Sequence, residues 1–283
     1  MVTVLLYFLS VAASTAQSAL GKSLKEKDDK TAFNLSKMTA AAVIFTLAAV
    51  VSFSFHRPTA VYGSCYGVFL FISMVCGLAA LTCGPMALTS MIVSFSLMIP
   101  TLYGIFVLRE PVTAFGVLGL VFICFSFVLV NRKPDRNSRI SGKWLAFTLV
   151  TMLSNGICSL IQKLHQSAYA GLYRAEFMMF ASLVSLALFL GVYLAKLPGK
   201  KRERQRASVY VKGLLAGGTN GCANFLSLYL AATQPATVLF PVLSVCTALA
   251  SLAAGRWLFG EKLRNSQLCG FALGVLSLIL VKL

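Results

Sequence analysis

The chain has 283 residues, 58% of them apolar, with 25 basic and 8 acidic side chains and a mean hydropathy of +0.83. A soluble domain carries about 45–50% apolar and about 25% charged residues, so this chain lacks the polar groups to cover its surface in water. Soluble, collagen-like and disordered classes are excluded, and the length accommodates ten spans of about 20 residues each. The net charge of +17 would suit a nucleic-acid partner in a soluble protein. Here the basic residues fall between apolar runs, where the loops of a membrane protein carry them, and no nucleic-acid partner is expected.

Ten apolar runs follow one another along the chain. The first five are Val2–Leu20, Asn34–Phe55, Val61–Leu81, Met86–Leu108 and Val112–Val130. The second five are Lys143–Gln162, Arg174–Ala195, Val209–Ala231, Ala236–Phe259 and Ser266–Leu283. Thr82-Cys83-Gly84-Pro85 divides the third run from the fourth, and Thr233-Gln234-Pro235 the eighth from the ninth, because glycine and proline break a helix there. Small residues near Ala16 evoke a cleavage site, but no positive charge precedes the first run, so it is read as a span and not as a signal peptide.

The loops after spans 1, 5, 7 and 9 hold Lys22, Lys25, Lys27, Lys30 and Lys37, then Arg132, Lys133, Arg136, Arg139 and Lys143, then Lys196, Lys200, Lys201, Arg202, Arg204, Arg206 and Lys212, and finally Arg256, Lys262 and Arg264. The opposite side holds Arg57, Arg109, Lys163, Arg174 and Lys282. Basic loops stay in the cytoplasm, which predicts a plasma or inner membrane protein with both termini outside. The 196–206 stretch KLPGKKRERQR is polybasic and suited to anionic lipid headgroups. The Asn34-Leu35-Ser36 sequon would lie on the cytoplasmic side and carries no weight. The eight cysteines form no C-x-x-C pair and are read as small buried side chains.

An internal repeat organises the chain. A shift of 141 residues lays Ser10 on Thr151, Ser14 on Asn155, Ser18 on Ser159 and Lys22 on Lys163, a polar stripe at helical spacing on spans 1 and 6. A shift of 151 lays Leu108-Arg109-Glu110 on Phe259-Gly260-Glu261, Gly119 on Gly270 and Val130 on Val281. The predicted architecture is an all-α integral membrane protein of ten transmembrane helices in two inverted five-helix repeats. Residues 1–131 form the first repeat, 132–142 a basic linker and 143–283 the second. Five helices is an odd number, so the second unit enters the membrane inverted, the plan of many secondary transporters with a midplane site. A duplication that serves only to build a stable bundle is the alternative.

The ending GEKLRNSQLCGFALGVLSLILV, its counterpart LREPVTAFGVLGLVFICFSFVLV, and the lysines closing spans 1 and 6 (Ala16-Gln17 to Lys22, Gly156 to Lys163) are similar to EamA-type members of the drug/metabolite transporter superfamily. The resemblance covers essentially the whole chain and implies ten helices in two repeats and solute export. Ser14 and Asn155 stand where that family has a tryptophan. Most of that family's members have cytoplasmic termini, the reverse of the orientation the charges give. Small multidrug-resistance relatives carry a glutamate in the first helix, where Gln17 stands here.

Span 8 places Gly217, Asn220, Gly221, Asn224 and Ser227 on one face. The glycines suit close helix packing. The two amides are assigned to a solute cavity, because an unpaired amide in hydrocarbon costs several kcal/mol. Ser14 and Gln17 of span 1, Asn155 of span 6, Ser94 and Tyr103 of span 4 and Ser244 and Thr247 of span 9 complete the candidate set. Each hydroxyl alone could bond its own helix. Together they outline a neutral polar pocket with Phe95 and Phe225 as candidate walls.

No Asp or Glu lies in the middle third of a span. Glu110 and Glu261 stand at equivalent helix junctions and are read as structural, and Arg174 and Glu176 as a local ion pair. Cationic drug efflux through a buried carboxylate is disfavoured. His56 and His165 are read as solvated edge residues, and no metal or cofactor is expected. Lys22, Lys163 and Arg256 are expected to reach back to the interface, with an anionic solute as their alternative partner. No catalytic set is visible, so an enzyme is not expected. The reading is a solute carrier for a small neutral or zwitterionic metabolite, monomeric or homodimeric in the lipid. Efflux of amphipathic or aromatic drugs and a non-transporting scaffold are the alternatives.

Overall fold

The computed structural model describes residues 2–24, 28–50, 54–83, 92–93, 96, 98–109, 113–130, 141–195, 207–259, 269–270, 272–274, 276–277 and 280. Among them the regular structure is helical throughout, with no strand. The elements are α1 (Val2–Lys22), α2 (Lys30–Val50), α3 (Arg57–Cys83), α4 (Met98–Phe106) and α5 (Ala114–Val130), then α6 (Gly142–Ala168), α7 (Arg174–Ala195), α8 (Ala207–Thr233) and α9 (Ala236–Phe259). They correspond to the first nine apolar runs. Much of the tenth run, and part of the fourth, lies outside the described residues.

Local capping explains where several helices begin. Asp29 Oδ1 accepts the Thr31 amide at 2.8 Å, and α2 starts four residues ahead of its apolar run. Ser141 Oγ accepts the Trp144 amide and Thr113 Oγ1 the Gly116 amide, opening α6 and α5 in the same way. α2 is described to Val50, and residues 51–53 before the expected end at Phe55 lie outside the described residues. α6 runs six residues past the expected Gln162, because the polar residues that follow the apolar run, Lys163, His165 and Gln166, are buried and bonded within the protein. Lys37, counted above with the loop charges, lies inside α2 and is 4% exposed.

Polarity is arranged for an apolar solvent. Exposed positions carry Phe8, Leu47, Val61, Phe125, Leu190 and Leu215, while Ser10, Asn34, Thr59, Ser73, Thr148 and Ser185 are buried. Water would penalise such an apolar exterior and lipid does not. Five helical segments are long and apolar enough to cross a membrane: Thr3–Gly21, Lys30–Val50, Arg57–Gly77, Gly142–Ala168 and Arg174–Ala195. They suggest a membrane protein. α8 is as long as α6 but is not among them, its apolarity diluted by Gly217, Gly218, Thr219, Asn220 and Gly221. Not all cysteines are buried: Cys65, Cys222 and Cys269 are exposed, Cys158 is buried, and the described thiols are free.

The chain divides into two compact units, residues 1–71 with 164–232 and residues 72–163 with 233–283. The first holds α1, α2, the start of α3, the end of α6, α7 and α8. α2 packs along α7. Glycines bring two further pairs of helices into backbone contact. A Cβ on Gly63 would stand 2.7 Å from the Phe177 carbonyl oxygen and 2.9 Å from Phe180 Cβ, so α3 lies directly on α7. A Cβ on Gly213 would stand 2.7 Å from the Phe33 oxygen and 2.7 Å from Ser36 Cβ, so α8 lies directly on α2. One turn on, Gly67 meets the Ala181 oxygen and Val184, and Gly217 meets the Lys37 oxygen and Ala40.

The two contacts correspond atom for atom. Gly63 and Gly213, and Gly67 and Gly217, stand 150 positions apart. Their neighbours Phe33 and Phe177, Ser36 and Phe180, Lys37 and Ala181, and Ala40 and Val184 stand 144 apart. Hydrogen bonds also tie α1 to α8 and α6 to α3, through different atoms. Ser10 Oγ of α1 donates to the Ala223 oxygen of α8 at 3.3 Å within the first unit. Ser73 Oγ of α3 donates to Asn155 Oδ1 of α6 at 2.6 Å within the second, and Ser73 precedes Ala223 by the same 150 residues.

In the second unit α9 packs on α4 and α5. Gly156 of α6 approaches Ile99 and the Ser96 oxygen, and Ser126 Oγ of α5 donates to the Gly270 oxygen at 2.6 Å.

Side chains at the glycine contacts should not be accommodated. Gly63→Leu and Gly217→Leu are each expected to destabilise by about 1–3 kcal/mol, seen as a lowered melting temperature of the purified protein in detergent. Gly218→Ala, whose added methyl would meet nothing within 4 Å, should leave it unchanged or slightly raised.

Candidate functional site

Four helices of the first unit enclose a narrow slot. α2 contributes Met38, Ala41 and Phe45, and α7 contributes Met178, Ala181 and Ser182. α3 adds Tyr66 and Leu70, and α8 adds Asn220 and Asn224. The spacings of three, four and seven residues put each set on one face of its helix. The same helices make the glycine contacts, so the walls are fixed by backbone packing just beside the slot. Its free volume is about 10 Å³, on the scale of one water molecule.

The polar groups of the slot are already organised. Tyr66 is 4% exposed and its hydroxyl donates to Asn224 Oδ1 at 3.0 Å. The Asn224 amide nitrogen donates to the Asn220 backbone oxygen at 2.9 Å. Arg, Lys, Asp and Glu are missing from the lining, which leaves a neutral surface of amides and hydroxyls on an apolar body. Phe45 stacks on Phe225 at 6.2 Å and Tyr66 meets the edge of Phe177 at 5.4 Å, fixing both rings. By the offsets above, Met38 corresponds to Ser182 and Leu70 to Asn220. At these two positions α2 and α3 are apolar where α7 and α8 are polar.

Of the residues singled out from the sequence, Asn220 and Asn224 line this slot. Ser14, Gln17 and Ser227 belong to the same unit, are half-buried and do not line it. Asn155, Tyr103 and Thr247 belong to the second unit, where Asn155 is engaged by Ser73. Ser94, Phe95, Glu110 and Glu261 lie outside the described residues, as do the side chains of Ser244, Lys22 and Arg256. Tyr66, Met38 and Ser182 were not anticipated. Tyr66 carried a signal, since a tyrosine hydroxyl inside an apolar run needs a partner.

Three expectations are corrected. His165 is fully buried and shares Thr59 with His56, so it is not a solvated edge residue. Lys163 does not reach to the interface; it is 7% exposed and its Nζ donates to the Gln234 oxygen at 2.7 Å. Arg174 and Glu176 go to separate partners: Arg174 to Gln166 Oε1 and the Tyr229 ring, Glu176 Oε1 to the Ser54 amide at 3.3 Å. Among the described residues no group of three or more His, Cys, Asp and Glu could hold a metal.

No family model and no curated relative matches the chain. Solved structures do, among them a crystal structure at 15% sequence identity and a TM-score of 0.79, the match covering 98% of this chain and 95% of the other. At that identity the likeness establishes a shared fold.

Tyr66→Phe is expected to cost about 1 kcal/mol by leaving Asn224 Oδ1 without its donor, read as a lowered melting temperature. In an Asn224→Leu background the same change should cost less, which a double-mutant cycle on the purified protein would measure.

Proposed function

We propose that the chain is a membrane carrier for a small neutral or zwitterionic metabolite, with ten spans arranged as two inverted five-helix repeats, both termini outside, and alternating access to a polar site. The observation that carries this reading is the matched pair of helix contacts. α3 meets α7 and α8 meets α2 through equivalent atoms at constant offsets, as two related five-helix units would require. The slot among those same four helices supplies neutral hydrogen-bonding groups and no fixed charge, which suits an uncharged or internally compensated solute. Its present width admits little more than water, so passage requires the helices to separate.

Efflux of amphipathic or aromatic compounds is the second reading, favoured by Met38, Phe45 and Met178 on the slot wall.

Purified protein in liposomes, challenged with labelled amino acids, nucleosides and aromatic dyes, tests both. Flux of one class is expected, falling at least about tenfold in Asn224→Leu because a lost hydrogen bond and a filled slot act together. Gln17→Ala examines the α1 stripe in the same assay. A protein that moves none of the panel would be a scaffold and not a carrier.

A further inference from the structure

In the first unit, the turn between α6 and α7 is tied to the start of α3 by a continuous chain of hydrogen bonds. His56 Nδ1 is 2.9 Å from Thr59 Oγ1, which is 2.9 Å from His165 Nε2. His165 Nδ1 is 2.7 Å from the Gln166 amide nitrogen, and Gln166 Oε1 accepts from Arg174 Nε at 3.3 Å. Arg174 sets the direction of the whole chain, because a guanidinium only donates. Gln166 therefore turns its oxygen to Arg174 and its NH2 to His165, whose Nδ1 must accept. The neutral His165 ring then carries its proton on Nε2 and donates to Thr59, and the Thr59 hydroxyl donates to His56.

Each of the four links in this chain has one donor and one acceptor when His165 is neutral. A proton on its Nδ1 sets N–H against the N–H of Gln166. The amide cannot rotate to help, since its NH2 would then face Arg174. His56 is held less strictly, because its ring lies flat on Tyr173 at 4.5 Å and 5°, a face that accepts a cation.

The tie restrains a strained turn. Ala170 has φ 47° and Tyr173 φ 55°, left-handed values that cost a non-glycine residue about 1–2 kcal/mol each. Tyr169 packs its edge on His56 at 4.8 Å, and Tyr62 and Phe177 close on His165 at 5.7 and 4.7 Å. Several charged and titratable groups among the described residues stand near it. From α7 come Arg174, over the Tyr229 ring of α8 at 4.4 Å, and Glu176, bonded to the Ser54 amide. α3 contributes the exposed Arg57 besides Tyr62, and the turn contributes Tyr169 and Tyr173.

We propose that this chain is a proton-binding latch: it ties the start of α3 to the α6–α7 turn while His165 is neutral, and a proton received on His165 releases the turn. Resting on the carrier reading above, the latch makes the proton the coupling ion.

Hydrogen–deuterium exchange over residues 165–177 of the purified protein, at pH 7.5 and 4.0 and corrected for intrinsic exchange, tests the latch, the lower value being set by the burial of His165 and the amide N–H against its Nδ1, both of which resist the proton. Opening is expected to be about tenfold more frequent at the lower pH, as one hydrogen bond is lost. Gln166→Glu should abolish or reverse the difference, because its carboxylate accepts from both Arg174 and a protonated His165. Thr59→Val should open the turn at both pH values. Equal protection of the wild type at the two pH values overturns the latch, as does an undiminished difference in Gln166→Glu. In liposomes an imposed proton gradient should accelerate flux through the wild type and not through Gln166→Glu. Flux indifferent to the gradient overturns the coupling. Opening that depends on pH, with no flux of any solute, supports the latch and overturns the carrier reading instead.

Discussion

Helices in lipid are not pressed together by a hydrophobic effect, since the surrounding chains are as apolar as leucine. Close packing must hold them, and in the first unit it rests on Gly63 and Gly67 of α3 and Gly213 and Gly217 of α8. Their missing side chains let the Phe177, Ala181, Phe33 and Lys37 carbonyls come within reach of the neighbouring backbone. The slot begins where that contact gives way to larger groups, at Tyr66 between the two glycines of α3 and at Leu70, Asn220 and Asn224 one to two turns beyond Gly67 and Gly217. Backbone packing thereby dictates the slot's width, and side chains dictate its chemistry.

Satisfaction of polar atoms is the second constraint, because hydrocarbon offers no water to a stray donor. Many hydroxyls bond their own helix: Thr15 to Val11, Thr148 to Trp144 and Thr151 to Phe147. Others reach across, as Ser185 Oγ does to the Gly67 oxygen at 2.7 Å, sealing the α3–α7 contact beside the glycines. The correspondence between the two halves is one of backbone and not of chemistry. Ser182 and Asn220 are polar where Met38 and Leu70 are apolar, so two like backbone contacts flank an unsymmetrical site.

The helices were legible in the sequence because apolar runs of span length admit few other structures; α7 and α9 match their runs end to end. The start of α2 and the end of α6 were not, since an apolar run stops at the first polar residues. Lys163, His165 and Gln166 belong to α6 because their partners, Gln234, Thr59 and Arg174, come from other segments of the chain. In the slot the asparagines of α8 announced themselves by being amides in an apolar setting. Tyr66 signalled only that its hydroxyl needs a partner and not which one, because nothing local tells a tyrosine that bonds Asn224 from one that bonds elsewhere, and Ser182 looks like any serine that bonds its own helix.

The composition of α8 bears on how the protein is made. A segment holding Gly217, Gly218, Thr219, Asn220 and Gly221 in succession partitions weakly into bilayer on its own. Its seat on α2 is built from Phe33, Ser36, Lys37 and Ala40, which leave the ribosome far earlier. In a bilayer, that earlier seat on α2 would offset the weak partitioning of α8.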